Sequence, residues 1–211
     1  MLNYLVQLTK SSILKIQKAP FWSFFRILEL MKVGKLLIAT PSIIGDNNFQ
    51  RSVILLVDEK KTGTVGFILN KPLEYTLDEV IDGVTIKFPL YYGGPVQQDN
   101  LFFIHRAANL IPNSLLIHDD VYWSGDFETV IELLISKELK QDEIRFFLGY
   151  SGWSENQLEV ELKSKSWIII NYIIEKKWME KSSKNLWKNY MKAMGGEFLI
   201  WSNAPENPSW N

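Results

Sequence analysis

Apolar residues recur along this chain in two spacings, and each spacing predicts a different secondary structure. Short runs that alternate or are rich in β-branched residues predict strands, whereas apolar residues three or four apart predict helices. Helices are predicted at residues 76–81, with Thr76 as N-cap and Glu79 as its capping-box partner, after Asp126 as N-cap, and at residues 184–194, which Gly195 ends. Strands are predicted at residues 35–39, 53–58, 64–69, 101–105, 114–118, 121–123 and 167–174. The second and third strands are expected to form a hairpin, because a short charged turn separates them.

The longest patterned stretch begins at Ile144 and predicts a strand, a tight corner and a helix in succession. The apolar run up to Leu148 is typical of a strand that is buried on both faces. Gly149 and Gly152 are expected to end this strand. The rest of the chain is expected to be organised around this buried strand and the helix after it.

Ser151 lies between the two glycines, where a serine at a strained strand-to-helix turn acts as a nucleophile in some hydrolases. The spacing argues against that role, because Trp153 stands where a nucleophile elbow needs glycine. Ser154 and Gln157 instead match a capping box, which explains the corner as the start of a helix. The catalytic interpretation stays open as an alternative, in which His105 acts with Ser151 or with a carboxylate.

Charge and cysteine content narrow the classes of function. The chain has no cysteine, which suits a reducing cytoplasm and leaves no thiolate nucleophile. Residues 32–211 carry 19 basic and 23 acidic side chains, and this balance argues against direct DNA binding, since duplex-binding domains are usually basic. His105 and His118 are the only histidines and lack the spacing of a metal site, so no metal or cofactor is predicted.

Residues 1–31 form two amphipathic pieces separated by Pro20, and they are predicted to extend a single domain at residues 32–211. No uninterrupted apolar run of a membrane-spanning length occurs in them. Three interpretations stay open for this extension. It is a helix that packs on the domain or frays, a cationic helix in weak contact with a membrane surface, or a segment upstream of a true start at Met31.

Several motifs, taken together and in order, resemble the YqgE/AlgH family of mostly bacterial proteins, whose biochemical activity is not established. The resemblance covers residues 32–211 and rests on residues 34–39 with Pro41, 49–56, 66–72, 93–96, His105, 149–153, 157–159, Trp167 and Trp187. It implies an α/β (α+β-like) fold with a branched, mixed, antiparallel-rich sheet that has a small barrel-like portion and is surrounded by helices. It also implies a role as a transcriptional regulator.

A candidate binding groove follows from the same resemblance. Its residues are Asn70, Gly93, Gly94, Pro95, His105, Tyr150, Ser151, Trp153 and Gln157. The first hypothesis is a cytoplasmic, non-catalytic regulatory or binding protein whose ligand or protein partner is unidentified. The alternative is a small-molecule-binding hydrolase that uses Ser151 and His105. A third class, a nucleic-acid regulator, predicts salt-dependent retention on DNA.

Overall fold

The computed structural model of the protein describes residues 32–43, 45–171 and 185–203. The strands in this part of the chain are β1 (Leu36–Ala39), β2 (Val53–Lys60), β3 (Gly63–Ile68), β4 (Pro72–Thr76), β5 (Pro89–Tyr92), β6 (Val96–His105), β7 (Leu115–His118), β8 (Val121–Trp123), β9 (Ile144–Ser154) and β10 (Trp167–Ile170). The helices are α1 (Leu77–Val80), α2 (Phe127–Ile135), α3 (Gln157–Lys163), α4 (Leu186–Met194) and α5 (Gly196–Ser202), with a 3-10 turn at Pro41–Ile43. The predicted extension at residues 1–31 lies outside the described residues. None of the described helices has the length and apolar character needed to cross a membrane.

The strands form one mixed sheet. Along the path β10-β1-β2-β3-β9-β6-β8-β7 every pair of neighbours is antiparallel. β5 pairs with β9 in parallel, and β4 pairs with β5. Because β9 has three neighbours, the sheet branches there, and the expected antiparallel-rich α+β fold is confirmed. The prediction of a barrel-like portion is wrong for the described residues, because the two end strands of the path, β10 and β7, do not pair and the sheet stays open.

Short sequence motifs predicted the positions of most helices and strands correctly. β2 and β3 pair as the predicted hairpin. The main-chain N–H of Thr76 donates to Glu79 Oε2 at 2.7 Å, which is the capping contact expected at the start of α1. Asp126 Oδ2 accepts the N–H of Thr129 at 2.9 Å and begins α2. Such contacts depend on residues three apart, so the sequence alone can predict them.

Two hydrophobic cores lie on the two faces of the sheet. Phe147 and Phe146 are neighbours on β9 and belong to different cores, since successive strand residues point to opposite faces. The first core includes Trp187 of α4, and the second includes Val130 of α2. β9 is thus buried on both faces, as predicted, and each fully buried phenylalanine contributes about 2 kcal/mol or more to folding.

The glycines at the predicted corner do not end the central strand. β9 continues through Gly149 and Gly152 to Ser154, so that expectation is wrong. Gly149 has a φ of 69°, and the strand that pairs with β9 on this side changes here. β5 pairs with β9 as far as Leu148, and β3 pairs with it from Ser151 onward. Gly149 therefore bends a continuous strand at the branch of the sheet, in a backbone conformation that glycine adopts readily.

Helix α3 begins two residues later than the predicted capping box places it. Its N-cap is Asn156, which has a φ of 61°. One half of the predicted box is present, because Gln157 Oε1 accepts the N–H of Ser154 at 3.0 Å. The Ser154 hydroxyl donates to the same oxygen at 3.1 Å instead of capping the helix amide. Helix α5 was not predicted, since its seven residues begin at the second of two consecutive glycines and are too few to show a helical period.

Candidate functional site

Three glycines allow the main chains of the β5–β6 connection and β9 to touch at the branch of the sheet. A Cβ atom on Gly93 would overlap the carbonyl group of Gly149, and one on Gly149 would overlap the carbonyl oxygen of Gly94. A Cβ on Gly94 would overlap the main chain of Tyr150 and Ser151. The structure therefore brings two parts of the predicted groove together, but as tightly packed backbone. No side chain fits between them.

Ser151 is fully buried at this contact, and its hydroxyl donates to the carbonyl oxygen of Gly93 at 3.0 Å. His105 is the last residue of β6 and pairs with Ile144, the first residue of β9. Ser151 lies seven positions further along β9 than Ile144, a separation of up to about 23 Å along the strand. The hydroxyl and the imidazole are thus not brought together.

His105 is also fully buried, and both of its ring nitrogens contact main-chain groups. Nε2 lies 3.0 Å from the carbonyl oxygen of Ser124, and Nδ1 accepts the N–H of Ala107 at 3.2 Å. These partners select the neutral tautomer that carries its hydrogen on Nε2. Burial lowers the pKa of His105, while the hydrogen bond to Ser124 opposes this shift. The imidazole therefore fastens the end of β6 to the residue that follows β8.

The protein is expected to lose stability as the pH falls below the ordinary histidine value of 6.5, and His105 is expected to cause part of this loss. Below that value the unfolded chain takes up a proton on this imidazole, whereas the folded chain does not until its lower pKa is reached. The free energy of unfolding should then fall by at most about 1.4 kcal/mol per pH unit through this group.

Urea unfolding of the wild type and His105→Gln at several pH values from about 7 to about 5 measures this effect. The glutamine can replace both hydrogen bonds but does not titrate, so the variant should show the shallower dependence. His118→Gln is the matched control, because His118 is half exposed beside Asp119. Equal slopes for the wild type and His105→Gln would contradict the prediction.

Asn70 fastens the end of β3 to the chain that enters β2. Its Oδ1 accepts the N–H of Val53 at 2.8 Å, and its Nδ2 donates to the carbonyl oxygen of Arg51 at 2.8 Å. The amide group thus mimics one more residue of strand pairing. Its structural effect is to hold one end of the segment at residues 45–52, which we call the polar loop.

The polar loop is held in place by its own residues and by a lysine from the β3–β4 connection. Asp46 Oδ1 accepts the N–H groups of Asn48 and Phe49 at 2.8 and 3.2 Å. Lys71 Nζ donates to the carbonyl oxygens of Asn47 and Asn48 at 3.0 and 2.7 Å. The order of this loop could not be predicted from its own residues, because the lysine that holds it comes more than twenty residues later in the chain.

Tyr92, at the end of β5, makes a third contact with the polar loop. Its hydroxyl donates to Asn48 Oδ1 at 2.8 Å. Burial raises the pKa of Tyr92, and the nearby charge of Asp46 raises it further. Burial lowers the pKa of the Lys71 amine, and Asp46 opposes that shift. The loop thus presents exposed polar groups on its outer side and is fastened by a phenol and an amine on its inner side.

The middle of the polar loop is anchored by aromatic rings. Phe49 stacks on Trp153 with 6.3 Å between centroids and meets Trp167 edge-on at 5.6 Å. Both indole N–H groups donate to Glu161 Oε2, at 2.8 Å from Trp153 and 2.7 Å from Trp167. Gln157 Nε2 donates to the other carboxylate oxygen at 2.9 Å. We call Trp153, Trp167, Glu161 and Gln157 the indole–carboxylate cluster.

Sequence reasoning did not single out Glu161 and so missed its role. The signal available was its position four residues after Gln157, which places both side chains on one face of α3. The two indole donors come from β9 and β10, so only the folded chain shows that the carboxylate accepts from both.

A buried arginine occupies the branch between β3 and β5. Arg145 Nη1 donates to the carbonyl oxygen of Leu69 at 3.1 Å, and its guanidinium carbon lies 4.3 Å from the centre of the Tyr91 ring. Near the polar loop, the Arg51 guanidinium lies 5.1 Å from the ring of Trp187. Both arginines therefore pack against aromatic rings of elements that are distant in sequence.

The chain matches a known protein family over most of its length. The model of the AlgH-like family matches residues 36–199, which include the polar loop, the branch of the sheet and the indole–carboxylate cluster. The chain belongs to the AlgH-like family. The resemblance to YqgE/AlgH proteins is thereby confirmed.

Relatives of this AlgH-like chain occur in several bacteria. A UPF0301 protein of Cytophaga hutchinsonii is 42% identical over 184 residues, which span 86% of this chain and 100% of that protein. One from Chlorobaculum tepidum is 37% identical over 184 residues, spanning 87% and 97% of the two chains. The fold also matches the AlgH protein of Pseudomonas aeruginosa, with a TM-score of 0.65, 23% identity and coverage of 83% and 95%. A crystal structure of a protein from Corynebacterium diphtheriae has a TM-score of 0.67 at 22% identity, with coverage of 82% and 93%.

In this AlgH-like chain the predicted groove residues divide into three groups and one separate residue, His105. The Gly93–Pro95 connection, Tyr150 and Ser151 meet at the branch. Trp153 and Gln157 belong to the indole–carboxylate cluster, Asn70 holds the polar loop, and His105 lies elsewhere. The polar loop links the second and third groups, because it contacts both Asn70 and Trp153.

Proposed function

We propose that this AlgH-like protein is a cytoplasmic, non-catalytic regulatory protein that binds a partner through the polar loop. The observation that carries the proposal is an exposed loop held in one conformation by Lys71, Tyr92 and Asn70. Loops that a rigid scaffold positions are common binding surfaces, because little conformational entropy is lost when a partner docks. The side chains of Asp46, Asn47 and Asn48 are exposed on this loop and offer both hydrogen-bond donors and acceptors.

The bonding of the two candidate catalytic groups supports a role without catalysis. The Ser151 hydroxyl donates to a main-chain carbonyl group and is fully buried. The His105 nitrogens contact a carbonyl oxygen and an amide, so neither nitrogen is directed at a nucleophile. The hydrolase alternative would require both groups to exchange these partners before any reaction.

The proposed regulation of transcription is indirect. The 19 basic and 23 acidic side chains of residues 32–211 do not favour a polyanion as the partner. A protein or small molecule that contacts the exposed amides and the carboxylate of the polar loop fits this surface better. The absence of cysteine from all 211 residues is consistent with a cytoplasmic location.

Substitution of Asn47 tests this function, because its side chain is exposed and the lysine contact uses only its main-chain oxygen. Asn47→Arg should place a large cation on the binding surface while the fold is retained. Asn109→Arg is the matched control, since Asn109 is an exposed asparagine in a turn outside the polar loop. Melting temperatures within about 2 °C of wild type, a shift expected for neutral surface substitutions, would qualify both variants.

Transcript levels are then compared in a bacterial host lacking the gene, complemented with each form. Wild type and Asn109→Arg should restore the transcripts that the deletion changes, whereas Asn47→Arg should not. Full restoration by Asn47→Arg would remove the polar loop from the proposal. A deletion that changes no transcripts would remove the regulatory role.

A further inference from the structure

The last described helix, α5, presents its apolar side chains to solvent instead of burying them. Leu199, Ile200 and Trp201 follow one another in this helix, and all three are exposed. Successive helix residues are about 100° apart, so three consecutive side chains span roughly 200° of the circumference. Ser202 is the one buried residue of α5. The helix therefore projects apolar groups over more than half of its surface, which marks an interaction site.

Basic side chains accompany this apolar helix. α4 contacts α5 and carries Lys188 and Lys192, and neither lysine forms an ion pair with another described residue. Glu197 is the only acidic residue at positions 185–203. Residues 172–203 together hold six lysines and three glutamates, whereas residues 32–211 as a whole are acidic. Positive charge is thus concentrated in the part of the chain that leads into α5.

We propose that α4 and α5 together dock on the surface of an anionic lipid bilayer. The apolar anchor consists of Leu199, Ile200 and Trp201. The cationic contacts are Lys188 and Lys192, whose long stems let the amines reach headgroups beside the inserted helix. At seven residues α5 is about 10 Å long, so it rests in the headgroup boundary and does not cross the bilayer.

A bilayer offers a partner to both kinds of side chain. Anionic headgroups attract the lysines, and the acyl region beneath them takes up the apolar residues. The indole of Trp201 suits the boundary between these layers, because it combines an apolar ring with an N–H donor. The contact is weak and reversible, since one small apolar patch with a few lysines falls short of stable anchoring.

A nucleic acid or a protein fits this surface less well. Nucleic-acid backbones are bound through cations and polar groups, so exposed leucine and isoleucine side chains gain little there. A protein that covers roughly 200° of a helix must enclose it in a groove. Fluid acyl chains close around a projecting side chain without a preformed groove, and they therefore match the spread of the apolar residues around α5.

The lipid contact goes beyond the proposed regulatory function and does not depend on it. The two surfaces are nevertheless neighbours, because the Arg51 guanidinium at the end of the polar loop packs on Trp187 of α4. A protein that is docked through α4 and α5 carries the polar loop close to the membrane. A partner of the loop is then met at the cytoplasmic face of the membrane, where anionic lipids are concentrated.

Co-sedimentation of the full chain with lipid vesicles tests the proposal. Vesicles of phosphatidylcholine with about 30% phosphatidylserine should bind the wild type at least about fivefold more strongly than phosphatidylcholine alone. Raising NaCl from about 50 to about 500 mM should weaken binding to the anionic vesicles at least about threefold, since the salt screens the lysines. Equal binding to both kinds of vesicle, or no binding to either, would overturn the proposal.

Ile200→Glu tests the apolar anchor, and Ile135→Glu is its matched control. The two isoleucines are 74% and 63% exposed, but Ile135 ends α2 and lies outside the proposed surface. Ile200→Glu should lower vesicle partitioning at least about tenfold, because it replaces an apolar anchor with a charge that anionic lipids repel. Ile135→Glu should stay within about twofold of the wild type, and melting temperatures within about 2 °C would qualify both variants.

Two neutralising substitutions test the charges separately from the fold. Lys192→Gln should weaken binding to anionic vesicles about threefold to fivefold, whereas Glu197→Gln should strengthen it about twofold or more. Each variant removes one charged surface group, so a general loss of structure cannot produce shifts of opposite sign. Shifts in the same direction, or none, would refute the role of these charges.

The remaining outcomes identify the other possible partners. Full vesicle binding by Ile200→Glu would overturn the proposal and assign the contact to another part of the chain, such as the cationic residues 1–31. Salt-dependent retention on immobilised DNA without vesicle binding would overturn it in favour of a nucleic acid. The transcript experiment uses a substitution in the polar loop, so either proposal can fail while the other stands.

Discussion

Replacing Gly94 with alanine is expected to lower the free energy of unfolding by about 4 kcal/mol or more, which is a large part of the roughly 5–15 kcal/mol of an ordinary domain. The new Cβ would overlap the main chain of Tyr150 and Ser151 at the branch of the sheet. Backbone atoms cannot rotate away as a side chain can, so β9 or the connection before β6 must shift. The φ of 149° at this residue adds strain, because residues with a Cβ rarely adopt it.

Gly83→Ala is the matched control for that prediction. Gly83 also has a positive φ, of 81°, but a Cβ there would meet nothing within 4 Å. Its alanine variant should lose only about 1–2 kcal/mol, the usual penalty for a non-glycine residue in this region. Equilibrium urea unfolding measures both variants. If the two lose equal stability, backbone overlap at Gly94 is not what requires glycine there.

Sequence reasoning succeeded where a structural element depends on its own neighbours. The pairing of Thr76 with Glu79 and the cap at Asp126 involve residues three apart, and both are present. The β2–β3 hairpin likewise depends on one short turn. The branched sheet was available only through the resemblance to a family, since no periodicity shows that one strand pairs with three others.

The predictions failed where two distant segments decide the conformation together. Gly149 and Gly152 look like strand ends, but β3 continues the pairing that β5 leaves, so the strand passes through both glycines. The candidate site shows the same limit. Lys71 lies just after the predicted strand at residues 64–69, yet the carbonyl groups that bind it come from the polar loop.

Removing the carboxylate of Glu161 is expected to have the second large effect. In Glu161→Leu the volume is roughly kept, while the indole N–H groups of Trp153 and Trp167 lose their acceptor. Both indole side chains are 4% exposed, so water reaches them poorly. An unsatisfied buried donor costs about 1–3 kcal/mol, and two donors give an expected loss of about 2–4 kcal/mol after allowance for the half-exposed carboxylate. Glu155→Leu, at an exposed glutamate before α3, should change stability by less than about 0.5 kcal/mol.

A double-mutant cycle shows whether the indole hydrogen bonds, and not merely the helix, account for the loss at Glu161. Trp153→Phe removes one of the two donors and keeps an aromatic ring against Phe49. In that background Glu161→Leu should cost about half of what it costs in the wild type, because only Trp167 is left without an acceptor. Strictly additive losses would mean that the carboxylate and the indole do not stabilise each other. The contribution of the Glu161 carboxylate to the anchoring of the polar loop would then have to be abandoned, whereas the ring contacts of Phe49 with Trp153 and Trp167 would stand.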